Sequence, residues 1–129
     1  MNISWSATSP TTGTFAAVER SCIAGLIERF DGLRTQGRGY VEVRAGDVFP
    51  VLTLGFTESA AVVHLMTGED AISLLAADEP ASMNAQVLVL DDLVEFAADF
   101  ILDLEGAWQV VEEFVRTGDP GRAGGWREL

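Results

Sequence analysis

The apolar residues of this chain change period twice, and that change limits the folds open to it. Phe15, Val18, Cys22, Leu26 and Phe30 recur at spacings of three and four, with Ile23 and Ile27 widening the stripe. Such spacing lines one face of an amphipathic helix, expected here to be capped near Thr14 and stopped by Gly32. From Tyr40 the period becomes two: Val41 and Val43 share a face, as do Leu52, Leu54 and Phe56, then Val63 and Leu65. Segments 71–75, 86–90 and 93–97 continue the series, separated by polar turns at 67–70, 78–80 and 91–92. Period-two segments joined by connections this short read as antiparallel hairpins. The helical period then returns, with Ala107, Val110, Val111, Phe114 and Val115 on one stripe. Asp103 stands at its N-cap, Glu105 at the positive end of its dipole, Gly118 at its C-cap and Pro120 beyond.

The fold class expected is therefore α+β: an antiparallel meander of about five to six strands, with an N-terminal and a C-terminal helix packed on one face. Residues 1–13, rich in Ser, Thr, Gly and Pro, read as an irregular N-terminal arm, which leaves 14–129 as a single domain. A chain of 129 residues with 48% apolar positions can bury one core and lacks the composition of a disordered segment.

Charge narrows the function. Twenty Asp and Glu face eight Arg and no Lys, a net charge of −12. Between residues 45 and 115 there are fourteen carboxylates and not one Lys or Arg, whereas the two flanks together carry six acidic and eight basic residues. Phosphate backbones repel such a surface, so direct nucleic-acid binding is not expected and a basic protein partner is. Acidity alone also keeps a small domain soluble and monomeric when free. The first residues lack a basic segment followed by an apolar one, and no run approaches 18 apolar residues. Neither a secretory peptide nor a membrane span is therefore expected, and the expected location is the cytoplasm.

Chemistry-bearing motifs are scarce. His64 is the only histidine and Cys22 the only cysteine, which leaves a zinc site without its usual ligands. Cys22, on the expected apolar stripe, reads as a small buried hydrophobe rather than as a nucleophile paired with His64. Gly37-Arg38-Gly39 lacks the strand before and the helix after that a phosphate loop needs. Adjacent carboxylates such as Asp91 and Asp92 point in different directions on a regular element, so they do not by themselves make a general acid/base pair. No catalytic, cofactor or metal residue is expected. A small ligand-binding or carboxylate-based enzymatic α+β domain stays open as an alternative, as does a regulatory protein-interaction module.

The tail carries a family likeness. Phe114-Val115-Arg116-Thr117-Gly118-Asp119-Pro120, followed shortly by Trp126, resembles the ending of the first-numbered family of immunity proteins from bacterial polymorphic toxin systems. Phe49-Pro50, a hairpin reaching Ala61-Val62-Val63, and a paired strand ending near Phe96 follow a similar order, so the likeness covers roughly residues 48–129. The gap from Pro120 to Trp126 is one residue longer than in that family, and Ala123-Gly124-Gly125 stand where a bulky aliphatic usually precedes the Trp. The resemblance implies a non-catalytic inhibitor that binds a cognate toxin, for several members a nucleic-acid-targeting one such as a deaminase. A toxin of that kind carries a basic groove, which an acidic surface can occupy in place of phosphate.

The residues expected to meet such a partner lie on turns within the Arg-free stretch: Glu69 and Asp70, Asp78 and Glu79, and Asp91 and Asp92, with Glu95 and Asp99 bordering the last pair. Met83 and Asn84 would supply an apolar and hydrogen-bonding centre. Trp126 either folds back to close the core or anchors the partner, as tryptophans often do at interfaces.

Overall fold

A computed structural model describes residues 3–9, 11–46, 48–119 and 125–128, without the side chains of 17–20. Among these, ten strands and two α-helices form an α+β fold. Strands β1 (Ile3–Thr8), β2 (Phe15–Arg20), β3 (Arg38–Ala45), β4 (Val51–Thr57), β5 (Ala60–Gly68), β6 (Ala71–Leu75) and β10 (Trp126–Glu128) make one antiparallel sheet in the order β10-β6-β5-β4-β3-β1-β2. Strand β9 (Leu102–Asp103) adds to it by pairing with the start of β5. Strands β7 (Ala85–Val89) and β8 (Asp92–Phe96) form a separate hairpin. Helices α1 (Ile23–Gln36) and α2 (Leu104–Thr117) pack on one face of the large sheet.

The expectation of an irregular arm over 1–13 is corrected. Ile3, Trp5 and Ala7 alternate with Ser4, Ser6 and Thr8, a period-two pattern that the small polar residues disguised. Strand β1 sits between β2 and β3, and Trp5 is only 3% exposed in the main core rather than at the surface. The first helix is also corrected. Residues 15–20 form β2 instead of a helix start, because a turn stabilised by Ser9 and Gly13 folds the chain back on β1. Gly13 takes a φ of 74° in that turn. Helix α1 begins only at Ile23, and it buries Leu26, Phe30 and Leu33. Cys22 is its N-cap residue and is exposed, not a core hydrophobe. The helix passes Gly32 and stops at Gly37, whose φ of 87° lets its N–H reach the Leu33 and Arg34 carbonyls.

Helix α2 follows expectation, from N-cap Asp103 to the left-handed C-cap Gly118; the Asp103 side chain makes no capping bond. Pro120 lies outside the described residues. The core between helices and sheet unites Phe30, Leu33, Val41, Val43, Leu52, Leu54, Phe56, Val63, Ala107, Val111 and Phe114. Trp108 stacks on Phe30 with ring centroids 3.9 Å apart, and Arg34 pairs with Glu105, so both an aromatic and an ionic contact join α1 to α2.

The opposite face of the sheet carries the second, smaller core of Val62, Leu74, Val87 and Ile101, with Phe96 and Phe100 packed against it. This is where the β7–β8 hairpin lies. Its base is over β5, where Phe96 meets His64 edge-to-face at 5.5 Å. Its tip reaches β2, where the Phe15 N–H donates to Asp91 at 2.6 Å. The hairpin therefore runs across β5, β4 and β3.

Candidate functional site: the crest of the second hairpin

The orientation of the hairpin follows from its register. Val89 and Asp92 flank the two-residue turn Leu90-Asp91 and exchange both backbone hydrogen bonds. Leu88–Leu93 and Gln86–Glu95 are then the alternate pairs, whose own N–H and C=O groups point away from the hairpin. On β7 these groups point at the large sheet. A Cβ on Gly55 would lie 1.9 Å from the Leu88 carbonyl oxygen, so β7 approaches β4 with its backbone edge and only a glycine leaves room.

Burial agrees. Val87 and Leu88 point to opposite flanks of the hairpin and are 0% and 4% exposed. Their cross-strand partners Val94 and Leu93, on the same two flanks, are 38% and 48% exposed. The hairpin thus stands on β7 and lifts β8 into solvent. Asp92, Leu93, Val94 and Glu95 are all exposed, as are Leu90 and Asp91 at the tip. This crest combines apolar side chains with three carboxylates and no basic residue.

Leu90 marks the tip in a second way. It holds a φ of 56°, a conformation usually left to Gly in two-residue hairpins and costly for a bulky side chain. A strained, exposed Leu beside two further exposed apolar residues breaks the local rules of a soluble surface, and such breaks gather at functional sites.

The other expected acids divide into two groups that the fold keeps apart. Glu69 and Asp70 occupy the β5–β6 turn, while Asp78 and Glu79 follow β6 at the far end of the sheet. The five residues of β6 alone separate these groups by about 17 Å. Asp78 and Glu79 line an open cavity of about 280 Å³ with Leu75, Ile101, Asp103 and Val110. Asp99 is close by, since its carbonyl accepts the Ala77 N–H at 2.8 Å and its carboxylate lies 3.9 Å from Arg127. Met83 is 72% exposed in the loop before β7. Asn84 is exposed beside it, and its Oδ1 accepts the Ala98 N–H at 3.0 Å, which ties down the hairpin base. Trp126 pairs with Leu75 in β10 and is half-buried against the main core, the fold-back arrangement.

Of the exposed crest residues, the sequence reading names Asp91, Asp92 and Glu95 but not Leu90, Leu93 and Val94. Within 93–96 the apolar residues Leu93, Val94 and Phe96 fall on both faces of the strand, so period alone does not tell a buried face from an exposed one. The signal that distinguishes them is the turn itself, which places Leu where a two-residue hairpin calls for Gly.

Chemistry-bearing side chains also lie at two other places. His64 is half-buried beneath Phe96, and burial holds its imidazole below the ordinary value of 6.5. Cys22 is on the helix-covered side of the molecule, so the fold does not bring it to His64. On the same face as His64, burial pushes the Glu42 carboxyl up against the opposing pull of Arg44. Burial likewise pushes the Tyr40 phenol up, with Glu42 adding to it and a hydrogen bond with Thr53 opposing. An open cavity of about 500 Å³ is lined by Trp5, Ser21, Cys22, Gly25, Glu28 and Arg29. The Arg29 guanidinium there lies over the Trp5 ring and donates to the Thr8 carbonyl at 3.3 Å. Neither this cavity nor the one at Asp78 includes His64. Among the described residues no group of three or more His, Cys, Asp and Glu is placed to hold a metal ion.

No family model matches the chain, and no curated protein matches it. Among the described residues no helix is long and apolar enough to cross a membrane.

Proposed function

We propose that this chain is an immunity protein that binds and inhibits a cognate toxin, with the β8 crest as the centre of its contact surface. The observation that carries the reading is the combination at the crest. Leu90, Leu93 and Val94 are exposed apolar anchors, and Asp91, Asp92 and Glu95 rim them with negative charge. Apolar anchors of this kind supply affinity, while complementary charge selects the partner and speeds its arrival. With no Lys or Arg between residues 45 and 115, every charge on the hairpin itself is a carboxylate. A nucleic-acid-acting toxin offers the matching surface, a basic groove made to hold phosphates. The likeness of the 114–126 tail to immunity proteins of polymorphic toxin systems supports the same partner. Inhibition then means occlusion of the toxin's substrate groove in the cytoplasm of the producing cell, with no cofactor or turnover required.

The test is kinetic. The gene beside this one is expressed as a candidate toxin domain, and its association with the protein is followed at several salt concentrations. The wild-type protein is expected to bind at a rate that falls with salt and to block the domain's activity on nucleic acid at one-to-one stoichiometry. The double reversal Asp92→Arg, Glu95→Arg is expected to associate about tenfold more slowly, with a flatter salt dependence. Equal association rates for the two proteins would remove the crest from the interface.

A further inference from the structure

The crest offers more than side chains. Strand β8 pairs with β7 alone among the described residues, so its outer backbone edge is open. The register states which groups are on that edge. Asp92, Val94 and Phe96 spend their N–H and C=O groups on β7, whereas those of Leu93 and Glu95 point outward. An open edge is a template for another strand, and natural proteins usually blunt it with Lys, Pro, a bulge or a covering loop. None of the residues 92–96 is Lys, Pro or Gly and the β7–β8 pairing runs without a bulge, so the charges that guard this edge are the carboxylates of Asp92 and Glu95, which repel an acidic strand and admit a basic one. The hairpin's stance on Gly55 also lifts this edge clear of the large sheet, so a strand can approach without meeting it.

Building on the reading above, we infer that the partner binds by strand addition: an extended, basic segment of the toxin pairs antiparallel or parallel with the outer edge of β8. Its backbone bonds to the N–H and C=O groups of Leu93 and Glu95. Side chains on one face of the added strand lie beside Leu93 and Glu95, and those on the other lie beside Asp92 and Val94. Each face of the crest thus presents one apolar residue and one carboxylate. The complementary segment carries apolar and Arg or Lys residues on both of its faces. A second copy of this chain is a poorer occupant, because it brings another net charge of −12 to the same surface.

The probe is a blocked eight-residue peptide of sequence Arg-Arg-Val-Val-Arg-Arg-Val-Val, which places both residue types on each face of an extended strand. Its control has the same side chains, with backbone N-methyl groups on its two central residues. Hydrogen exchange of the protein's amides is followed by NMR at low salt, with each peptide near saturation. Strand addition predicts that the unmodified peptide slows exchange at Leu93 and Glu95 at least about tenfold, and that the N-methylated peptide binds about tenfold more weakly. It further predicts that Leu93→Pro, which takes away an outward N–H but no bond to β7, folds by circular dichroism yet binds about tenfold more weakly than Leu93→Ala, which lacks the same side chain but keeps the N–H. Equal binding of both peptides, with shifts still confined to the crest and abolished by Asp92→Asn, Glu95→Gln, overturns strand addition but leaves the acidic crest as a docking surface. Binding elsewhere on the molecule, or no binding, overturns strand addition and removes support from the crest together. Dimerisation of the free protein with slow exchange at Leu93 and Glu95 also overturns it, because the edge would already be filled by a second copy.

Discussion

Leu90 holds the least comfortable backbone in the hairpin, with a φ of 56° on a side chain 44% exposed. Its cost and its use separate on mutation. Leu90→Ala keeps the strained backbone and loses the apolar surface, whereas Leu90→Gly loses the surface and relieves the strain. In urea unfolding, Leu90→Gly is expected to be more stable than Leu90→Ala by about 1 kcal/mol, while both bind the partner more weakly than wild type. Equal stabilities would mean that the turn is relaxed. His64 gives a second test at this scale. Its folded pKa is lowered by burial, so the unfolded chain binds the proton more readily. The contribution of the neutral imidazole to stability is full above its ordinary value of 6.5 and is lost as the pH falls through the lower folded value. The urea midpoint of wild type is thus expected to drop between pH 7.5 and 5.5 relative to His64→Gln, and parallel midpoints would contradict the burial.

At the level of elements, Gly55 decides how the hairpin sits. A methyl group there would enter the space of the Leu88 carbonyl, and the backbone of β7 cannot move aside as a flexible side chain would. Gly55→Ala is expected to cost about 2 kcal/mol and to speed amide exchange across β7 and β8 more than across β3–β5. Uniform acceleration would instead place β7 in one cooperative unit with the sheet. The same pair of elements shows what the sequence could and could not convey. The strands from β3 to β6 and helix α2 were legible because the residues each lays on the helix-side core recur at the period of the element, although β4 is buried on both faces. Strand β1 was hidden because Ser4, Ser6 and Thr8, residue types common in turns, fill the second face of an alternating strand, where Ser6 and Thr8 are themselves buried. For β2, the Phe15, Val18 and Cys22 spacing fits a helix, but pairing with β1 outweighs that local signal. The hairpin's two strands were legible as a pair; their stance was not, since it depends on a contact between Gly55 and Leu88, 33 positions apart.

Across the whole molecule, the fold turns an uneven charge distribution into an uneven surface. The acid-rich stretch contains the β7–β8 hairpin, the turns at Glu69 and Asp78, and the start of α2. The arginines lie outside that stretch, and several of them brace the structure: Arg34 joins α1 to α2, Arg29 covers Trp5, and Arg127 faces Asp99. Of the acids expected to meet a partner, the hairpin gathers Asp91, Asp92 and Glu95, while the Glu69 and Asp78 pairs stand at opposite ends of the sheet. In the proposed reading, those distant pairs contribute to the long-range field that steers a basic partner, and the crest makes the contact. Neutralising Glu69 and Asp70 to Gln and Asn is therefore expected to change the association rate by less than about threefold and to leave dissociation unchanged. A faster dissociation would extend the contact to that turn.

The most direct test is co-purification at low salt from the cells that make this protein, run in parallel with wild type and with Asp92→Arg, Glu95→Arg. The expected result is a one-to-one complex of the wild type with a basic domain that acts on nucleic acid, inhibited in the complex and absent from the reversed variant. Recovery of that domain in equal amount by both proteins, or recovery of no basic partner when the neighbouring gene is co-expressed, would contradict an acidic crest built to occupy a toxin.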